Sequence, residues 1–115
     1  MLFICYPKCS TCRKAKTWLE DHNISYELRD IKEDNPTARE LSEWQKKSGL
    51  PMKKFFNTSG MLYREMGLKD KLKAMTDQEM LDLLATDGML VKRPILVTDD
   101  AVLVGFKEAE YQTVK

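Results

Sequence analysis

A single histidine, three cysteines, no long apolar run and no surplus of either charge mark this sequence. Each shortage excludes something. A membrane span needs roughly eighteen consecutive apolar residues, and no stretch approaches that length. With 19 Lys and Arg against 18 Asp and Glu, the net charge is +1, so no global field draws the chain to nucleic acid or an anionic membrane. No glycine-rich phosphate loop follows a strand-like run, so no nucleotide cofactor is implied. A structural zinc site needs four ligands, and beyond Cys9 and Cys12 only Cys5 and His22 remain as thiol or imidazole donors. A c-type haem site would place His after the second cysteine, where Arg13 stands. No metal is expected. An odd number of cysteines suits a reducing compartment better than a disulfide framework. The start, Met-Leu-Phe-Ile-Cys, lacks the basic region and cleavage site of a secretory leader. The expectation is a cytoplasmic protein with no membrane and no direct nucleic-acid partner.

What is present is a Cys-x-x-Cys. Leu2, Phe3, Ile4, Cys5 and Tyr6 have the composition of a buried strand, while Cys12, Ala15, Trp18, Leu19 and His22 recur at helical spacing. Cys9 therefore falls on the strand-to-helix turn. Unpaired N–H groups and the positive dipole end stabilise an anion there, and Lys8, Arg13 and Lys14 add charge. The thiolate is the reactive form of cysteine, and such surroundings lower its pKa. Cys12, three residues on, lies on the same helical face and is placed to close a short disulfide with Cys9. The pattern points to thiol–disulfide chemistry, against the plainer alternative of two functionless buried thiols.

With 115 residues, the chain has the length of one domain, 1–115, around one core. The predicted order begins with a strand at 2–6, a helix at 10–22 ended by Asn23, and a half-covered strand at 25–31. Such a βαβ unit joins parallel strands right-handedly. Asn35-Pro36 suggests the N-cap and first residue of a helix carrying Ala38, Leu41 and Trp44 and ending at Gly49. Short helical pieces broken at Gly67 should follow, then a capping box at Thr76–Glu79 before Met80, Leu81, Leu83 and Leu84. Ile95-Leu96-Val97 and Val102-Leu103-Val104 read as a hairpin, with a last helix over 107–114. The expected class is α/β: a thioredoxin-like fold, β-α-β then β-β-α, with a helical insertion at about 36–90 and a four-stranded mixed sheet. A Cys-x-x-Cys after the first strand is the redox position of that architecture. Cys5 reads as a small buried hydrophobe. His22 reads as a helix-end residue, Trp18, Trp44, Phe55 and Phe56 as core, and Lys69, Lys71 and Lys73 as a solvated face.

Tyr-Pro-Lys-Cys-Ser-Thr-Cys-Arg-Lys-Ala at 6–15, Phe-Phe-Asn-Thr-Ser-Gly at 55–60, Asp-Gly-Met-Leu-Val-Lys-Arg-Pro-Ile at 87–95 and Gly-Phe-Lys-Glu at 105–108 resemble the arsenate reductase-like (ArsC/Spx) family across essentially the whole chain. The resemblance implies a catalytic or redox thiol at Cys9, a switch disulfide with Cys12, and a functional arginine at Arg93. It also implies a cis bond to Pro94 opposite the cysteine turn. Arsenate reductases of this type resemble one another in gripping the oxyanion with three arginines. Only Arg93 matches: Asn57 stands at the central-loop position, and Phe106 or Lys107 at the C-terminal one. Lost guanidinium donors weaken oxyanion binding, with Arg64 or Lys107 as the available substitutes.

Three functional expectations follow. The first is a thiol–disulfide oxidoreductase with Cys9, Cys12 and Arg93 catalytic and Ser10, Thr11, Arg13 and Pro94 at the substrate. It would need no bound cofactor, with glutathione as a co-substrate and glutathione/glutaredoxin or thioredoxin as reductant. The second, from the resemblance, is an Spx-type redox-sensing regulator that binds the RNA polymerase α subunit. The third is a glutathione/glutaredoxin-dependent arsenate reductase.

Overall fold

The computed structural model describes residues 1–114. Four strands form one mixed sheet in the order β2-β1-β3-β4. The strands are β1 (Leu2–Cys5), β2 (Glu27–Asp30), β3 (Ile95–Val97) and β4 (Val102–Val104). β1 runs parallel to β2 and antiparallel to β3, and β4 is antiparallel to β3. The helices are α1 (Ser10–Asp21), α2 (Ala38–Ser48), α3 (Met61–Glu65), α4 (Leu68–Lys71), α5 (Asp77–Leu84) and α6 (Glu108–Gln112). The expected thioredoxin-like element order and mixed sheet are both present.

The alternation of a strand decides which helices cover which face. Phe3 and Cys5 of β1, with Leu96 of β3, pack against Cys12, Ala15, Trp18 and Leu19 of α1 and Tyr111 of α6. Ile4 and Ile95 point to the opposite face, into a larger cluster with Leu41 and Trp44 of α2, Phe55, Phe56, Leu68 and Leu84. The four aromatic residues expected in the core are buried, Trp18 on the first face and Trp44, Phe55 and Phe56 on the second. α1 and the long stretch between β2 and β3 thus sandwich the sheet, and β1 is its central axis.

Local chemistry explains most boundaries. Asn23 takes φ 56, and Gly49 ends α2 at φ 72, both left-handed as helix-ending residues should be. Thr76 and Glu79 form the reciprocal capping box read from the sequence. His22 caps α1, stacking on Trp18 at 3.9 Å with Nδ1 2.8 Å from the Trp18 carbonyl. Lys69, Lys71 and Lys73 are exposed.

Two expectations change. α2 begins after Thr37, not at Asn35-Pro36. Thr37 Oγ1 accepts from the Glu40 N–H, and the Glu40 carboxylate accepts from the Thr37 N–H, a second capping box. Asn35 is diverted, its side-chain amide donating to the carbonyls of Pro36 and Ala85. The other change concerns β2, which is four residues long and does not alternate between covered and open. Leu28 is 52% exposed because this strand forms the sheet edge, while the covered residue, Ile31, lies just beyond it.

Arg29 of β2 ties that edge to α2. Its guanidinium donates to both Glu40 carboxylate oxygens (2.6 and 2.9 Å) and to the carbonyls of Asp34 and Asn35, and lies over the Trp44 ring. These hydrogen bonds from Arg29 hold the Glu40 carboxyl at about 2, aided by its capping contacts with Thr37. A carboxyl depressed in the folded state stabilises above its unfolded pKa, and that contribution is lost as pH falls through the folded value. Glu40→Gln should therefore cost about 1–2 kcal/mol at pH 7, discounted for partial exposure. Urea melts of both proteins should converge as pH falls from about 4.3 toward 2.

Candidate functional site

Cys9 is the N-cap of α1, with extended backbone angles (φ −85, ψ 124), and Cys12 lies in the first turn. The turn is fastened at both ends: the Cys9 N–H donates to the Tyr6 carbonyl at 2.9 Å, and the Tyr6 N–H donates to Cys12 Sγ at 3.3 Å. Cys12 is 2% exposed, whereas Cys9 is partly open. The helix start thus presents one thiol outward and holds the other behind it.

Arg93 reaches the outer thiol from the strand-entry segment ahead of β3, and the Arg93–Pro94 peptide bond is cis, as the resemblance implies. Its guanidinium carbon lies 5.2 Å from the Tyr6 ring centre. Nε and Nη1 of Arg93 are buried with no hydrogen-bond partner. Burial opposes ionisation of Cys9, but the Cys12 N–H and thiol, together with hydrogen bonding and charge from Arg93, outweigh it and lower the Cys9 thiol below its ordinary range. Cys12 moves the other way: the neighbouring Cys5 thiol and burial push it far up. The two thiols of the motif therefore differ in character: ionisation is favoured at the partly open Cys9 and opposed at the buried Cys12.

A cleft of about 320 Å³ opens over Cys9. Thr11, Asn57, Ser59, Lys92, Arg93 and Lys107 supply its polar lining, with Gly60, Gly105 and Phe106 completing the wall. Asn57 is nearly buried, its backbone N–H bonded to the Leu90 carbonyl and its side-chain oxygen accepting from Ser59 Oγ. Gly60 must stay small, since a Cβ there would sit 2.8 Å from the Asn57 amide nitrogen. All the positions compared with an oxyanion-binding arginine triad therefore meet in one cleft, with arginine at one of them. Lys107 lies there too; Arg64 is not among the lining residues.

Of the residues expected at the substrate, Thr11 lines this cleft. Ser10 is exposed at the first position of α1, and Arg13 borders a separate recess with Trp18, Phe106 and Glu108. Pro94 is buried, and its carbonyl accepts from the Gly105 N–H at 2.8 Å. The charge that lowers the Cys9 thiol is that of Arg93, not of the lysines and arginine adjacent in sequence. Ser59 and Lys92 were not singled out from the sequence. The Asn-Thr-Ser-Gly turn signal at 57–60 and the Lys-Arg-Pro run were the available pointers to them.

Replacing Arg93 with Leu removes a charge and a donor from Cys9. The pH profile of Cys9 alkylation by iodoacetamide should move to higher pH, with slower labelling at pH 7. An unchanged profile would mean that Arg93 does not set the thiol's reactivity.

Comparison with known proteins places this geometry in a lineage. The ArsC family model matches residues 5–114. YusI of Bacillus subtilis strain 168 is 53% identical over 112 residues, covering 97% of this chain and 95% of the relative. The regulatory protein MgsR of the same organism is 30% identical over 110 residues, covering 96% and 86%. A crystal structure of an ArsC family related protein from Bacteroides fragilis superposes with a TM-score of 0.98 at 57% identity, over 99% of this chain and 96% of that one. The chain belongs to the ArsC family.

Proposed function

We propose that the protein is a thiol–disulfide oxidoreductase working through Cys9 and Cys12. The observation that carries this reading is the pairing of a partly open, low-pKa thiol with a buried thiol one helical turn behind it. In the reaction, the Cys9 thiolate attacks one sulfur of a substrate disulfide. A Cys9–substrate bond forms, the substrate S–S bond breaks, and the departing half leaves as a thiolate. Cys12 then attacks Cys9 Sγ, releasing the second half as a thiolate that takes up the Cys12 proton. The resulting Cys9–Cys12 disulfide is reduced by two molecules of glutathione, or by a glutaredoxin or thioredoxin. The raised pKa of Cys12 makes its deprotonation the harder step.

The cleft suits an anionic co-substrate. Lys92, Arg93 and Lys107 offer cations for the carboxylates of glutathione. Thr11 is the substrate-binding candidate nearest that position, with Ser10, Arg13 and Pro94 as outlying ones. Arsenate is served less well, because Asn57, Phe106 and Lys107 take the places of guanidinium groups. The reading assigns the protein to the cytoplasm, where these reductants operate. Among the described residues, no helix is long and apolar enough to cross a membrane.

Glutathione-dependent reduction of bis(2-hydroxyethyl) disulfide tests the proposal. Wild-type protein should turn over repeatedly, Cys9→Ser should lose activity to background, and Cys12→Ser should accumulate a mixed disulfide on Cys9 visible by mass. Full activity in Cys9→Ser would overturn the reading.

The 30% identity to a protein named as a regulator supports a second reading. In it, the same disulfide alters an interface with the RNA polymerase α subunit and no catalysis occurs. Co-purification of that subunit without disulfide turnover would favour the sensor. Multiple turnovers would exclude a purely sensing role.

A further inference from the structure

Cys5 is not used by the reaction above, yet it stands beside the motif. Strand alternation turns it, with Phe3, toward α1, into the cluster that buries Cys12 and that Cys9 packs against. It is 5% exposed. The bond from the Tyr6 N–H to Cys12 Sγ draws the Cys12 sulfur onto the backbone next to Cys5. The order of the three sulfurs follows from the elements that carry them: Cys9 opens on the cleft, Cys12 lies one helical turn behind it with its sulfur on the Tyr6 N–H, and Cys5 is the residue before Tyr6, at the end of β1. The array therefore runs from the cleft inward as Cys9, Cys12, Cys5, enclosed by Phe3, Leu96 and Tyr111.

We propose that Cys5 is a third redox thiol, which takes over Cys12 from an initial Cys9–Cys12 disulfide and stores the disulfide as Cys5–Cys12. This rests on the thiol–disulfide reading of the site. The step is an isomerisation and needs no further oxidant: Cys5, losing its proton to solvent, attacks Cys12 Sγ; the Cys9–Cys12 bond breaks; its electron pair leaves on Cys9. Attack is aided by the charge of Lys16, which eases Cys5 ionisation against burial. Departure is favoured because a low-pKa thiolate leaves faster, and Cys9 is the thiol beside Arg93. The consequence is an oxidised protein whose outer thiolate is free to engage a second thiol or disulfide.

Wild-type protein and Cys5→Ala are each oxidised with one equivalent of diamide, pulsed briefly with iodoacetamide, and quenched in acid. Remaining thiols are blocked with N-ethylmaleimide in denaturant before digestion. Trypsin cuts after Lys8 and Arg13, which separates Cys5 from a peptide holding Cys9 and Cys12. The proposal expects a population in which peptide 1–8 is disulfide-linked to peptide 9–13 with the iodoacetamide label on Cys9. Labelling of Cys9 in oxidised protein should fall by at least about tenfold in Cys5→Ala, since its only partner for Cys12 is then Cys9. A wild-type disulfide confined to peptide 9–13, with Cys5 blocked only after denaturation, overturns the proposal and leaves the Cys9–Cys12 mechanism standing. Absence of any disulfide overturns both.

Discussion

The contact on which this site depends is the seating of Cys12 against the end of β1. One N–H from Tyr6 meets the Cys12 sulfur, and Phe3, Ala15, Leu19 and Leu96 close around it. That seating fixes the rotation of α1. With Cys12 inward, the N-cap thiol must face the solvent side, at the end of the helix where partial positive charge is greatest. The following turns of α1 extend the same buried stripe through Trp18 and Leu19. Stability and reactivity therefore share one set of residues, and the difference between the two thiols is a consequence of packing. A hydrogen bond to sulfur is weak in itself; its value here is orientation within a close-packed cluster.

The second half of the site comes from remote parts of the chain. The hairpin β3–β4 pairs directly with the central strand, so the Lys92–Arg93 segment entering β3 arrives beside the N-terminus of α1. The 57–60 loop is set by the Asn57 N–H bond to Leu90 and by the Phe56–Val91 bridge. Three sequence-distant segments thereby place cations and amides over one thiol. The substitution of Asn57 for a guanidinium at this spot, with Lys107 exposed at the far side, leaves one arginine to confer both charge and directionality.

Features governed by neighbours along the chain were legible beforehand. The Cys-x-x-Cys turn, the capping box at Thr76, the left-handed ends at Asn23 and Gly49 and the hairpin all depend on contacts within a few residues. Misreadings arose where distant partners decide. Asn35-Pro36 has the composition of a helix start, but Asn35 is claimed by Ala85, and Thr37 with Glu40 caps instead. Leu28 follows an alternating pattern, yet its strand is an edge. The Arg29–Glu40 tie links a strand to a helix eleven residues on, which no periodicity announces. At the site, Cys9 and Cys12 were readable from chemistry and spacing, and Arg93 only through a resemblance. Ser59 and Lys92 required the fold to be brought together.

The most direct test of the central claim is an equilibrium redox titration of the purified protein in glutathione buffers, trapping thiols by rapid alkylation and counting them by mass. Reversible formation of one intramolecular disulfide involving Cys12, at a potential of roughly −270 to −180 mV, is the predicted result, since cellular oxidoreductases occupy that range. Three thiols that stay reduced across the whole range would contradict the account and return Cys12 to a purely structural role.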